Sequence, residues 1–178
     1  MSLGGWLESE LFERRIVRVT GRLDDVAASK AAAALLALDA NGHQPIELHL
    51  NSPDGELGAA LTLIDTADTL RSPLRVLCTG QVGGPAIGLT AVADHRAAAP
   101  HTRFRLAQPT ARFAGPPHEI AARSRQQQDQ LWSLYARLAR RTGRPAEEIA
   151  EDMRRGRYLD AQEALDYGLI DEIAAARE

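Results

Sequence analysis

Apolar and polar positions alternate along the first part of the chain in a regular order. Short runs rich in Val, Ile and Leu end in turn residues, which is typical of strands. Between them lie longer segments with apolar residues at helical spacing. This order predicts an α/β fold with a parallel sheet and right-handed crossovers. The predicted elements are strand 14–21, helix 24–42, strand 45–52, helix 57–72, strand 74–80, a glycine turn, short helix 86–95 and extended pieces at 96–100 and 102–109.

The pattern changes after Pro109. A turn-rich segment at 110–117 precedes one long polar helix at 118–143, whose apolar residues form a narrow stripe. A helix of this kind usually projects from its domain and buries the stripe against a partner, and packing on the chain's own core is the alternative. A further helix at 145–156, a short helix and a small strand complete the chain. The stripe consists of Ile120, Leu131, Leu134 and Leu138.

Composition narrows the classes of function. The chain has 178 residues, which indicates one domain, and nothing in it resembles a linker or a repeat. Its net charge of -3 and its aromatic content of 4% argue against nucleic acid and membrane surfaces as partners. No signal segment and no apolar run of about 18 residues is present, so a cytoplasmic protein is expected. The opening residues 1–5 are expected to be flexible.

The single cysteine and the five histidines give no sign of a metal or cofactor site. Cys78 lies in an apolar run and is expected to be a buried, inert thiol. The histidines show no ligand spacing with cysteine or carboxylate residues, so neither a metal nor a cofactor is predicted. They are His43, His49, His95, His101 and His118.

Four segments together resemble the family of the Clp protease proteolytic subunit (ClpP), over about residues 11–174. "LHLNSPDG" is similar to the family's "INSPGG" turn, and "CTGQVGGPAIG" to its nucleophile segment G-x-A-A-S-M-G. "PHTRFRLAQP" resembles P-N-S-R-x-M-I-H-Q-P, and "EALDYGLID" resembles the family's last helix and turn. The resemblance implies a ClpP/crotonase-like spiral of βαβ units in a single domain, residues 1–178. It would comprise a head at about 6–106 and 142–174 and a projecting handle at about 107–141.

The resemblance also implies sevenfold rings that stack in pairs and are fed by an AAA+ unfoldase. The family's serine, histidine and aspartate positions fall on Gly84, Ala107 and Gly156, so all three reactive side chains are missing. Its two oxyanion donors fall on Gly55 and on Pro85, and proline has no N–H. A slip of the alignment onto Gly83 supplies no hydroxyl or thiol, because none lies between Gly80 and Leu89.

Further residues near these positions have expected roles of their own. Asp54 stands where the family usually has glycine, and its carboxylate opposes a developing oxyanion unless it points away. Ser52 is expected to make a turn hydrogen bond. Asp152 is expected to be a solvated or interfacial carboxylate, and Arg155 matches an arginine that the family uses in ring-to-ring contacts. At the handle base, Ala111 and Arg112 replace a glycine pair beside the family's substrate-binding strand, which is expected to be impaired here.

Three hypotheses follow from these residues. The first is a catalytically inactive, ClpR-like degenerate subunit, a structural or regulatory component of a Clp-type ring, alone or with an active paralogue. The second is an active serine-type endopeptidase whose site is misaligned here. The third is a crotonase-like acyl-thioester binder, against which the missing N–H of Pro85 also counts.

Overall fold

A computed structural model describes residues 3–175 and shows a mixed α/β fold. Five parallel strands form the main sheet in the order β1-β2-β3-β5-β8, and three form a second sheet in the order β4-β6-β7. The strands are β1 (Ile16–Thr20), β2 (Ile46–Asn51), β3 (Leu74–Cys78), β4 (Gln81–Gly83), β5 (His95–Ala98), β6 (Arg103–Leu106), β7 (Arg157–Leu159) and β8 (Glu172–Ile173). The predicted α/β fold with a parallel sheet is therefore confirmed.

Six α-helices and one 3₁₀ helix connect the strands in the described residues 3–175. They are α1 (Leu3–Glu13), α2 (Asp25–Ala40), α3 (Leu57–Asp68), the 3₁₀ helix (Gly84–Ala91), α4 (Pro117–Thr142), α5 (Ala146–Arg155) and α6 (Ala161–Tyr167). Side-chain hydrogen bonds to the backbone cap the first turns of two of these helices. The side chain of Asp24 caps α2, and Asp160 with Glu163 forms a capping box at the start of α6.

The main sheet is buried, as a parallel sheet requires. Side chains of β2 and β3 such as Leu48, Leu50 and Val76 are fully buried, and α2 and α3 pack against each other beside the sheet. The short second sheet follows directly after β3. Its strand β4 lies beside the loop that follows β2, because the N–H of Gly83 donates to the carbonyl of Ser52.

Three predictions for secondary structure were wrong. Residues 3–5 belong to helix α1 rather than to a flexible start, while Met1 and Ser2 lie outside the described residues. The predicted glycine turn contains strand β4, and the helix after it is 3₁₀ rather than α. Glycine-rich segments carry little periodicity, so a three-residue strand there gives no sequence signal. Strand β7 is also too short for its pattern to be recognised.

The long helix α4 has two different halves. Residues 117–133 include no buried residue, whereas Leu134, Tyr135 and Leu138 in its last turns are part of the core. The prediction that the whole apolar stripe faces a partner was therefore wrong for Leu134 and Leu138. Ile120 and Leu131 stay partly exposed. Helical periodicity alone cannot tell which turns of a long stripe face the chain's own core.

Candidate functional site

The turn from strand to helix at residues 80–85 depends on two glycines that have different backbone conformations. Gly83 is extended, and a Cβ atom on it would lie 2.2 Å from the carbonyl oxygen of Pro53. Its N–H donates to the carbonyl of Ser52 at 2.8 Å, which draws the two backbones together. Gly84 follows in the left-handed region, with φ of 56°, where side chains are strained. The chain then enters the 3₁₀ helix at Pro85, whose missing N–H would be unused at that position.

Replacing Gly83 with alanine is expected to lower the free energy of unfolding by about 1–3 kcal/mol, because a methyl group has no room beside the Pro53 carbonyl. Gly58→Ala is the matched control. A Cβ atom there meets nothing within 4 Å on helix α3, so this change should stabilise by about 0.5–1 kcal/mol. Urea denaturation of both variants checks the opposite signs. Equal effects of the two changes would contradict the close approach.

Two of the three predicted triad positions, Gly84 and Ala107, lie close together. A Cβ atom on Gly84 would be 3.8 Å from the carbonyl oxygen of Ala107. Strands β6 and β7 are antiparallel and pair Leu106 with Arg157. The N–H of Gln108 donates to the carbonyl of Met153 at 3.0 Å, so the end of β6 lies against the end of α5, the helix that Gly156 caps. Gly84 and Ala107 are therefore neighbours, and none of the three predicted positions carries a reactive side chain.

The carboxylate of Asp54 lies in this place and points toward Gly84. Its Oδ1 atom would be 2.7 Å from a Cβ atom on Gly84, while its Oδ2 atom accepts a hydrogen bond of 3.2 Å from Arg22. Arg22 also lies 3.9 Å from Glu56. An acidic group therefore occupies the space that a nucleophile and a developing oxyanion would need. Negative charge there raises the energy of an anionic transition state.

One backbone donor is available at the site. Leu23 donates to the carbonyl of Asp54 at 3.0 Å and accepts from Glu56 at 2.8 Å, so Gly55 between them turns its own N–H away from Leu23. Within residues 3–175 that N–H has no hydrogen-bond partner. The second expected donor position is Pro85, which has no N–H. Of the two predicted donor positions, Gly55 alone therefore offers an N–H.

The remaining candidate residues have structural roles. Ser52 is buried, and its hydroxyl donates to the carbonyl of Asp54 at 3.0 Å, which confirms the predicted turn hydrogen bond. Cys78 is buried as predicted, and burial raises its pKa to about 12, so the thiol is inert. His49 contacts Glu47 at 3.2 Å and His95 contacts Glu172 at 2.9 Å. Among residues 3–175 no group of three His, Cys, Asp or Glu side chains could hold a metal ion.

Asp152 is buried, so the prediction of a solvated carboxylate was wrong. It accepts hydrogen bonds from the hydroxyl of Tyr167 at 2.8 Å and from Arg157 at 3.2 Å. Burial and the neighbouring carboxylate both raise the pKa of Tyr167, which keeps its hydroxyl protonated as the donor. The carboxylate therefore ties α5 to α6. The helical position of Asp152 gave no sign of a partner fifteen residues away.

Arg22 is the site residue that the sequence did not reveal. Strands β1 and β2 are parallel neighbours that pair Thr20 with Asn51. Their carboxyl ends meet at the same edge of the sheet, so the residues that follow each strand come together there. Applied to the residues that follow β1 and β2, this rule could have indicated from the sequence that Arg22 and Asp54 lie close together. Arg155 is exposed, and its Nε atom lies 2.6 Å from a carboxylate oxygen of Glu151.

The short strand β4, the left-handed Gly84 and the 3₁₀ helix after it form an elbow of the kind that presents a nucleophile in other α/β proteins. The family model of the Clp protease matches residues 6–177, and the chain belongs to this family. Members of this family generally assemble as rings. No helix in the described range 3–175 is both long and apolar enough to cross a membrane.

Proposed function

We propose that the chain is a catalytically inactive ClpP-like subunit, which acts as a structural or regulatory component of a ring in an ATP-dependent Clp-type protease complex. One observation carries the proposal. Gly84 and Ala107 are close neighbours, and none of the three predicted triad positions (Gly84, Ala107 and Gly156) has a side chain that can attack, accept a proton or orient a base. Loss of a whole triad costs on the order of 10⁶ in rate.

The surroundings support inactivity independently of the triad. Loss of one oxyanion donor costs on the order of 10²–10³ in rate, and Pro85 removes one. The Asp54 carboxylate adds negative charge at the same place. Pro116 and Pro117 have no N–H, so the turn-rich segment that leads into α4 offers fewer donors to an extended substrate. The missing N–H of Pro85 equally weakens the case for an acyl-thioester binder, which also needs paired donors.

The role in assembly follows from membership of the family. The chain would form a heptameric ring or double ring, alone or with an active paralogue, and would offer a docking surface to an AAA+ unfoldase in the cytoplasm. Residues 6–106 and 142–174 would form the head of the subunit, and 107–141 the handle. Arg155 would contribute to contacts between rings. No cofactor takes part in this role.

A fluorophosphonate probe tests the absence of a nucleophile. The purified protein is expected to show no labelled serine after prolonged incubation, because no activated hydroxyl lies at the elbow. An active serine peptidase in the same tube controls for the probe, and peptide mass spectrometry locates any adduct. A stoichiometric adduct on any serine of the folded protein contradicts the proposal, and an adduct on Ser52 would point to a misaligned site.

A further inference from the structure

Arg105 of strand β6 is a partly buried cation without a counter-charge. Its side chain has no ion-pair or hydrogen-bond partner within residues 3–175, although its Nε atom is covered. Covered polar atoms nearly always have a partner, and arginine is seldom buried unless it is paired. One other arginine in the described part of the chain, Arg137, has a covered Nε atom, but its terminal nitrogens bind Asp68. Arg105 therefore lacks an acceptor that its surroundings require.

Strand pairing holds Arg105 in the centre of the second sheet. It lies opposite Gly83 of β4 on one side and opposite Tyr158 of β7 on the other. A Cβ atom on Gly83 would be 3.2 Å from the Cβ atom of Arg105 and 2.2 Å from the carbonyl oxygen of Pro53, so the loop after β2 lies against the root of this side chain. The Cζ atom of the guanidinium lies 5.8 Å from the centre of the Tyr158 ring, which attracts the cation. The charge is thus held beside an aromatic side chain that is 60% exposed.

A second unpaired arginine lies on the same face of this sheet. Residues two apart on a strand point to the same side, so Arg103 and Arg105 share one face. Phe104 and Leu106 between and after them are fully buried on the opposite side. Arg103 is exposed and has no partner in the part of the chain that the structure describes. Gln81, its neighbour on β4, adds a side-chain amide that makes no hydrogen bond within residues 3–175.

The two positive charges have no acidic ion-pair partner among the described residues. The carboxylate of Asp54, at the elbow that follows β4, is paired with Arg22 instead. Guanidinium groups bind phosphate oxygens through bidentate, charge-assisted hydrogen bonds, and two such groups match two negative charges. This face of the sheet therefore has the charge and the donors that an oxyanion requires.

We propose that this face of the second sheet binds a doubly charged oxyanion of the phosphate type through Arg105 and Arg103. The terminal nitrogens of Arg105 are accessible, unlike its Nε atom, so they can reach a ligand. Because the positive charge is shared across the guanidinium, an anion at these nitrogens compensates for the whole group. The hydroxyl of Tyr158 has no hydrogen-bond partner within residues 3–175 and can donate to the same ligand. The site is independent of the ring component proposed above, since all of its residues belong to one chain.

Titration with inorganic phosphate tests the site. Phosphate replaces chloride at constant ionic strength in the low millimolar range, and isothermal titration calorimetry of the full chain measures Kd. Arg105→Gln is expected to weaken phosphate binding by about tenfold or more, because it removes a charge-assisted bidentate contact. Arg75→Gln is the matched control and should leave binding unchanged. Arg75 is likewise an exposed strand arginine without an ion-pair partner in the described residues, but Glu47 lies opposite it on β2 and offsets its charge.

Nuclear magnetic resonance of the arginine Nε–H groups locates the bound anion. The covered Nε–H of Arg105 is shielded from exchange with water, so its signal should be observable and should shift as phosphate is added. Arg105→Met assigns this signal by its loss. Without phosphate, this variant should unfold at the same urea concentration as wild type or at a higher one, because it removes an uncompensated charge and keeps an unbranched side chain.

The outcomes separate a phosphate site from its alternatives. Saturable binding that Arg105→Gln weakens and Arg75→Gln leaves unchanged supports the inference. No binding by the wild-type chain, or equal binding by wild type and Arg105→Gln, overturns it. Acetate that binds as tightly as phosphate contradicts the requirement for two negative charges. Loss of self-association in Arg105→Gln, without phosphate binding by wild type, shows that the acceptor is a carboxylate of another chain and also overturns the inference.

Discussion

Replacing Gly84 with serine is expected to yield a protein with no measurable turnover of a fluorogenic peptide. The new hydroxyl would face Ala107, which accepts no proton, so it would stay a weak nucleophile. The oxyanion would find the Gly55 N–H but no second donor at Pro85. Labelling by a fluorophosphonate should also be absent, because the probe needs the same activated oxygen.

The same substitution is expected to destabilise the fold. A serine in the left-handed region at φ of 56° costs about 1–2 kcal/mol relative to glycine. Its Cβ atom would also meet Asp54 Oδ1 at 2.7 Å, so the carboxylate must turn away and its contact with Arg22 is disturbed. Urea denaturation measures this loss. Gly84→Ala is the control, since it brings the same strain without a hydroxyl.

Restoring first the triad residues and then the oxyanion donor separates their contributions to the rate of peptide hydrolysis. Serine at Gly84, histidine at Ala107 and aspartate at Gly156 would restore the triad residues but leave Pro85 without an N–H. Adding Pro85→Ala to this variant should raise kcat by about 10²–10³, which is the usual effect of one oxyanion donor. Turnover by Gly84→Ser alone, or no gain from Pro85→Ala, would show that the site lies elsewhere.

The sequence predicted the parts of the fold that rest on long, regular patterns. The strands before the elbow and the helices between them follow from alternation and helical spacing, and the apolar run around Cys78 correctly indicated a buried strand. Strand β4 was not predicted because it is three residues long and ends in Gly83, whose place there depends on the Pro53 carbonyl. Helix α1 escaped because its first residues include Gly4 and Gly5, which disfavour helices.

The sequence predicted which positions belong to the candidate site, but not how the side chains around them are arranged. The alignment of motifs indicated Gly84, Ala107 and Gly156, and the structure adds that Gly84 lies close to Ala107. The direction in which the Asp54 side chain points was open, because it depends on Arg22 from a different strand end. Asp152 shows the same limit, since its partners Tyr167 and Arg157 come from separate elements. Contacts between distant segments need the register of the sheet as well as the local pattern.

Asp171→Ala is expected to lower the free energy of unfolding by about 2–3 kcal/mol. Arg96 is buried, and Asp171 receives its backbone N–H at 2.9 Å, its Nε at 3.1 Å and a close contact from Nη2. Without the carboxylate, the guanidinium keeps the Gly168 carbonyl at 2.6 Å but no counter-charge. Breaking a fully buried pair costs about 3–5 kcal/mol, and a smaller loss is expected here because the side chain of Asp171 is 35% exposed.

The pH dependence of the free energy of unfolding tests whether the ion pair between Arg96 and Asp171 causes this loss. Partial burial alone raises the pKa of Asp171, but the hydrogen bonds and charge of Arg96 outweigh it and hold the carboxyl pKa below its ordinary value. The pair therefore stabilises the fold fully above the unfolded carboxyl pKa of about 3.9 and loses this effect as pH falls through the folded value. Wild type and Asp171→Ala should differ at neutral pH and converge in acid. Glu172→Ala, which removes an exposed neighbouring carboxylate, should cost less than about 1 kcal/mol at neutral pH. An unchanged difference between wild type and Asp171→Ala down to acid pH would show that the loss is one of packing rather than of charge.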